Sequence, residues 1–129
     1  MDKTEKNKAI IERSTYEEVN EGIDKSVAQI IVELIEYIPN SVLSKTIMKK
    51  TTGNVTVVSF DTGEALTEKI SPFDTFIQII EGRAEIIIDK NINALECGQG
   101  IIIPAHSSHI VKANGRFKMT QTVIKSGYE

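Results

Sequence analysis

From Val27 onward, starting with "VAQIIVELIEYIP", the chain alternates short apolar stretches with turn residues, at intervals of about eight to twelve positions, the spacing of a β-sandwich or barrel. Pro39-Asn40, Thr52-Gly53-Asn54, Asp61-Thr62-Gly63, Ser71-Pro72, Glu81-Gly82, Asp89-Lys90-Asn91, Gly98-Gln99-Gly100, Pro104 and Asn114-Gly115 mark the breaks. Between them the pattern predicts strands over 27–32, 42–50, 55–60, 66–70, 74–81, 84–89, 92–96, 100–103, 108–113 and 116–125, about nine in all once bends and joined segments are allowed for. Alternation is clearest in "RFKMTQTVIK". There Phe117, Met119, Gln121 and Val123 share one face, and Lys118, Thr120 and Thr122 share the other. In "AEIIID" both faces are apolar, as expected of a strand covered on two sides.

Residues 1–26 read differently: highly charged, sparsely apolar and without alternation. Ser14 and Thr15 are each followed three positions later by Glu17 and Glu18, the capping-box spacing, so a short helix ending at Gly22 is expected inside a solvated arm. The domain reading is therefore an arm over 1–26, a β-barrel over 27–125 and a tail over 126–129.

Composition narrows this picture. The 129 residues suit one domain with one core, built of aliphatics, since there is no Trp and only three Tyr and four Phe. The expected class is all-β. Lys and Arg are scattered among Asp and Glu at a net charge of −3, which argues against a nucleic-acid partner, because phosphate binding needs a concentrated basic footprint. Cys97 is the sole cysteine, and no apolar run approaches the roughly twenty residues that span a bilayer. With no signal-peptide pattern at the N-terminus, a cytoplasmic protein with no membrane partner is expected.

The two histidines, His106 and His109, lie in "IIIPAHSSHIV". The stretches "GEALTEKISPFDTFIQIIEG" from Gly63 and "GQGIIIPAHSSHIVKA" from Gly98 resemble the two motifs of the cupin family, small RmlC-like jelly rolls of the double-stranded β-helix type. "PFDTFIQIIEG" and "RFKMTQTVIKS" are similar to a subgroup of small single-domain bacterial cupins. Gly63 and Gly82 match the ends of the first motif, and its His, His and Glu positions fall on Lys69, Ser71 and Thr75. Gly98, Pro104 and His109 match the second motif, with His106 at its Gly position and Ala113 at its Asn position. In metal-binding cupins the resemblance implies three His and one Glu converging on a divalent ion. Here only His109 keeps a normal ligand type. A protonated Lys adds a cation and no lone pair, and neutral Ser and Thr are poor ligands for transition metals. His106 is three positions from His109, out of phase in a continuous strand, so it joins His109 on a metal only if a turn breaks that phase.

The residues expected to line a ligand site are His109, Lys69, Thr75, Ser71, Gln78 and His106. Gln78 shares its strand phase with Asp74 and Phe76, opposite to Thr75, Ile77 and Ile79, and faces inward only if a bulge near Pro72 shifts the phase. Lys69 reads either as an anchor for an anion or as a snorkelling edge lysine. The leading expectation is a barrel that binds a small molecule with no obligatory metal or other cofactor. One alternative is a metal-dependent oxygenase or isomerase using His106 and His109 with Gln78 or Asp74. Another is a structural or regulatory subunit whose interior is filled. A homodimer is expected because aliphatic strand faces and open sheet edges leave surface to cover, with strands of the 27–60 region contributing.

Overall fold

A computed structural model describes residues 15–17 and 22–125, the side chains of 15–17 and 67–69 excepted. Ten strands follow one another: β1 (Thr15–Glu17), β2 (Val42–Lys50), β3 (Gly53–Phe60), β4 (Ala65–Ile70), β5 (Asp74–Glu81), β6 (Arg83–Ile88), β7 (Asn91–Glu96), β8 (Gly100–Ile103), β9 (Ser108–Lys112) and β10 (Phe117–Ile124). Among the described residues, a 3-10 turn, Ile31–Glu33, precedes β2. The strands form a six-stranded sheet in the order β1-β2-β3-β10-β5-β8 and a four-stranded sheet in the order β4-β9-β6-β7, which face each other as a jelly roll. Nine of the ten stretches expected to be strands are strands. Their ends fall where turn chemistry puts them: Asp89 and Lys90, both at positive φ, form the two-residue hairpin between Ile88 and Asn91.

Register arranges the inward residues of the six-stranded sheet in rows. Phe117, Phe60 and Val42 form the first row, and Ile79, Met119, Val58 and Ser44 the second. Above them run Ile101, Ile77, Gln121, Thr56 and Thr46, then Ile103, Thr75, Val123, Asn54 and Lys49. The opposite sheet answers with Leu66, Val111 and Ile86, and above these with His109 and Ile88. The lower half is a dry aliphatic core anchored by the stacked rings of Phe60 and Phe117, 4.4 Å apart and fully buried.

Two expectations about the N-terminal part are corrected. Residues 27–32 form no strand. They belong to an irregular strap that crosses the outer face of the large sheet, burying Ile35 and covering Val57 and Ser59. Ser59 Oγ donates to the Glu36 carbonyl (2.8 Å), Lys118 Nζ to the Val32 carbonyl (2.7 Å) and the Tyr37 hydroxyl to the Glu81 carboxylate (3.2 Å). Thr15–Glu17 do not open a helix. They pair in parallel with Val42–Ser44, because the edge of β2 offers unpaired backbone groups that a capping box cannot outbid. The rest of the expected helix, residues 18–21, lies outside the described residues, as does the 126–129 tail.

Candidate functional site

Polarity inside the barrel rises from one end to the other. The two lower rows of the large sheet carry Ser44 as their only polar side chain, whereas the two upper rows include Thr46, Thr56, Gln121, Thr75, Asn54 and Lys49. Thr46, Thr56 and Thr75 are buried, Gln121 part-buried. Across the barrel at the same end, β9 sets the part-buried His109 in register with Ile88 on one side and Lys69 on the other, and the His109 Nδ1 atom is sealed from solvent. The side chain of Lys69 lies outside the described residues, and only its register with His109 is given. This polar end, between the β2–β3 hairpin, the β4–β5 connection and the start of β9, is the candidate site.

The residues expected to line it are divided by strand phase and turn geometry. Thr75 and His109 stand in the inward phase. Ser71 sits in the β4–β5 connection, where its hydroxyl accepts the Phe73 N–H (3.1 Å) and its carbonyl the His106 N–H (2.7 Å), so it builds the rim turn. His106 takes the left-handed conformation (φ 68°) with its side chain exposed, at the glycine place of the second motif. Gln78 is corrected outright. The pairing of β5 with β10 runs without a shift from Asp74 to Ile79, so no bulge near Pro72 turns Gln78 inward, and it lies exposed on the outer face beside Thr120 and Gly100. Asp74 shares that outer phase, and its carboxylate accepts the Ala105 N–H (2.8 Å), pinning the turn that carries His106.

Sequence reasoning missed Thr46, Thr56 and Gln121. The signal was present for Gln121, a polar residue interrupting the apolar phase of Phe117, Met119 and Val123. Thr46 and Thr56 gave none, since threonine is as common on the solvated face of a strand as on a buried one.

A divalent ion of the kind the fold family implies does not suit this donor set. Among the described residues no three His, Cys, Asp or Glu side chains come together. The family's ligand positions hold a lysine, a serine committed to its turn, a neutral threonine and one imidazole. Transition metals need three or four imidazole, thiolate or carboxylate donors, and a nearby ammonium opposes them.

The strongly shifted titrations lie elsewhere. Asp61, just after β3 at the apolar end, is held down to about 2, first by the Arg116 side-chain hydrogen bond (2.8 Å), then by the Asn40 and Thr62 N–H groups. Tyr37, in the strap, is pushed up to about 12 by burial and by the neighbouring Glu81 carboxylate, against a smaller opposing pull from Arg116.

No family model matches the chain, and no curated protein does. Solved structures do. A conserved protein of unknown function from Streptococcus pyogenes is 29% identical, with 81% of this chain and 91% of that one covered and a TM-score of 0.76. A cupin superfamily protein from Desulfitobacterium hafniense is 28% identical over 83% of this chain and 97% of the other, with a TM-score of 0.73. An RmlC-like cupin from Shewanella frigidimarina is only 15% identical, yet 81% of this chain superposes on 94% of that one with a TM-score of 0.68, a likeness of fold. Facing antiparallel sheets, glycine-bounded motifs in the right order and these neighbours together show that the chain has the cupin fold, an RmlC-like jelly roll.

Proposed function

We propose that the barrel is a receptacle for a small molecule, held at its polar end without an obligatory metal. The observation behind this reading is the gradient of polarity across the stacked rows. A hydroxyl, amide or imidazole contributes less to a dry core than an aliphatic side chain of the same size, so packing alone does not account for Thr46, Thr56, Thr75, Gln121 and His109 gathering at one end. A concave site with an apolar floor and a few convergent polar groups is the usual form of a small-molecule site. Ile101, Ile77 and Ile88 supply the apolar wall, and the imidazole and hydroxyls fix orientation.

Native mass spectrometry of protein purified without chelator tests this, together with calorimetric titration of zinc, nickel, iron and manganese. A bound organic mass, released on denaturation and lost in Thr75→Val or Gln121→Leu, is the expected result, with no tight metal site. One stoichiometric metal site of sub-micromolar affinity that vanishes in His109→Ala would overturn the metal-independent reading. A barrel that carries nothing, and whose Thr75→Val and Gln121→Leu variants are more stable than wild type, would overturn the receptacle itself.

A further inference from the structure

We infer that the molecule received by the barrel carries an oxyanion group, carboxylate or phosphate, which docks on a lysine cleft at the rim; the inference rests on the receptacle reading. The cleft, about 680 Å³, is lined by Lys49, Lys50, Thr51, Thr52 and Lys125, between the β2–β3 hairpin and the end of β10. It adjoins the polar end because of register. Lys49 pairs with Asn54 in the uppermost inward row. The Lys125 N–H donates to the Thr52 carbonyl (2.7 Å), which carries the β10 pattern one residue past Val123 and Ile124 and returns it to the inward phase of Val123. Its ammonium lies 6.0 Å from the centre of the Phe73 ring, which belongs to the β4–β5 connection on the same rim.

Charge makes this cluster unusual for the chain. The protein is net negative, at −3, and yet three lysines line one cleft. Among the described residues, no carboxylate lies within ion-pair distance of Lys49, Lys50 or Lys125. Two described aspartates of the same end are engaged with their own turns: Asp74 accepts the Ala105 N–H (2.8 Å) and Asp89 the Ser108 N–H (3.1 Å). Like charges gathered on one cleft repel, and an oxyanion relieves that repulsion while accepting several charge-assisted hydrogen bonds. Thr51 and Thr52 line the same cleft and add hydroxyl donors. Lys69, in register with His109, brings a fourth lysine to the same end on the opposite sheet. The cleft's lysines form a local cluster at one rim, which suits a small anion better than an extended polyanion.

Citrate and inorganic pyrophosphate serve as the probes, with glycerol as an uncharged control, at constant ionic strength, read by calorimetry and thermal shift. Wild type, K49Q/K125Q, R83Q/K112Q and Gln121→Leu are compared; Arg83 and Lys112 are exposed residues of the four-stranded sheet, and their removal makes the same change in net charge. The expected result is saturable binding of at least one anion, weakened about tenfold or more in K49Q/K125Q, the loss that corresponds to about 1.4 kcal/mol, and unchanged in R83Q/K112Q. Citrate against pyrophosphate separates a carboxylate ligand from a phosphate one. No response of wild type to either anion, or equal loss in both double variants, would overturn the inference. So would a co-purified molecule without an acidic group, and that result would leave the receptacle reading standing. Anion binding that depends on the lysines but is indifferent to Gln121→Leu would support the rim site and count against the receptacle beneath it.

Discussion

Replacing Lys118 by methionine tests whether a buried lysine fastens the strap to the barrel. Lys118 is on the outer face of β10 and only 8% exposed, because residues 31–38 lie over it. Its ammonium donates to the Val32 carbonyl at 2.7 Å, sits 5.0 Å from the centre of the Tyr37 ring and stands 3.9 Å from the Glu81 carboxylate. A hydrogen bond from a charged donor contributes about 1.5–3 kcal/mol and a desolvated cation–π contact about 0.5–2 kcal/mol. The Glu81 pair adds little, because that carboxylate is 40% exposed and the separation is long. Against this stands the cost of desolvating the ammonium, which methionine removes while keeping most of the apolar stem. The balance is a net loss of about 1–2 kcal/mol on substitution, or a fall in Tm of roughly 3–8 °C for a domain of this size. Urea unfolding gives the free energy, and amide exchange at 31–38 says whether the loss is local to the strap. A Lys118→Met protein as stable as wild type, with unchanged protection of the strap, would refute the reasoning by showing that desolvation outweighs the clamp.

Four further outcomes are expected. Gly82→Ala should destabilise by about 3 kcal/mol or more in denaturant titration, since Gly82 has φ 74° and an added Cβ would meet the Arg116 carbonyl and, at 3.0 Å, the Phe117 Cβ; Gly98→Ala, at φ 93° in open space, should cost only about 1–2 kcal/mol of backbone strain. Asp61 has a depressed folded pKa, so its contribution to stability is complete above pH 4 and lost as pH falls towards 2; acid titration of Arg116→Gln should show a smaller segment there, the part left by the Asn40 and Thr62 N–H groups. Tyr37 has a raised folded pKa, so its contribution is complete below pH 10 and lost as pH climbs towards 12, visible as a delayed phenolate absorbance in wild type and as a flatter stability curve in Tyr37→Phe. Self-association is expected to use the outer face of the four-stranded sheet, where Ile92, Ile87 and Ile110 are cross-strand neighbours and Ile92 is 67% exposed, because the strap already covers much of β3; sedimentation should show twice the 14.3 kDa chain mass, and Ile92→Lys should halve it.

Strand positions were legible because each is set locally, by an alternation and by the turn that ends it. The strap was not. Its run "VAQIIVELIEYIP" has the composition of a strand, and whether such a run pairs at an edge or lies across a face depends on surfaces contributed by β3 and β10, distant in sequence. The same ignorance hid Lys118, which alternation places on the polar face with Thr120 and Thr122 and which only the strap buries. In the site, phase was decisive both ways: Gln78 and Gln121 are chemically identical, and only an unbroken register sends one to solvent and the other into the barrel.

That division explains how the cupin fold can stand with other residues at the family's ligand positions. The motif's glycines act on the backbone: Gly63 and Gly98 hold left-handed turns whose N–H groups reach the Ala113 and Ile79 carbonyls at 2.7 and 2.8 Å, and Gly82 lets the chain pass close to β10. Thr75 and His109, two of the positions that correspond to the family's ligands, lie at the barrel's upper end, away from the close-packed Phe60–Phe117 stack. Histidine at Lys69 and glutamate at Thr75, with Ser71 kept for its turn, should join His109 in creating a metal site without loss of fold; the double variant unfolding in the absence of metal would show that the present residues bear on the packing after all.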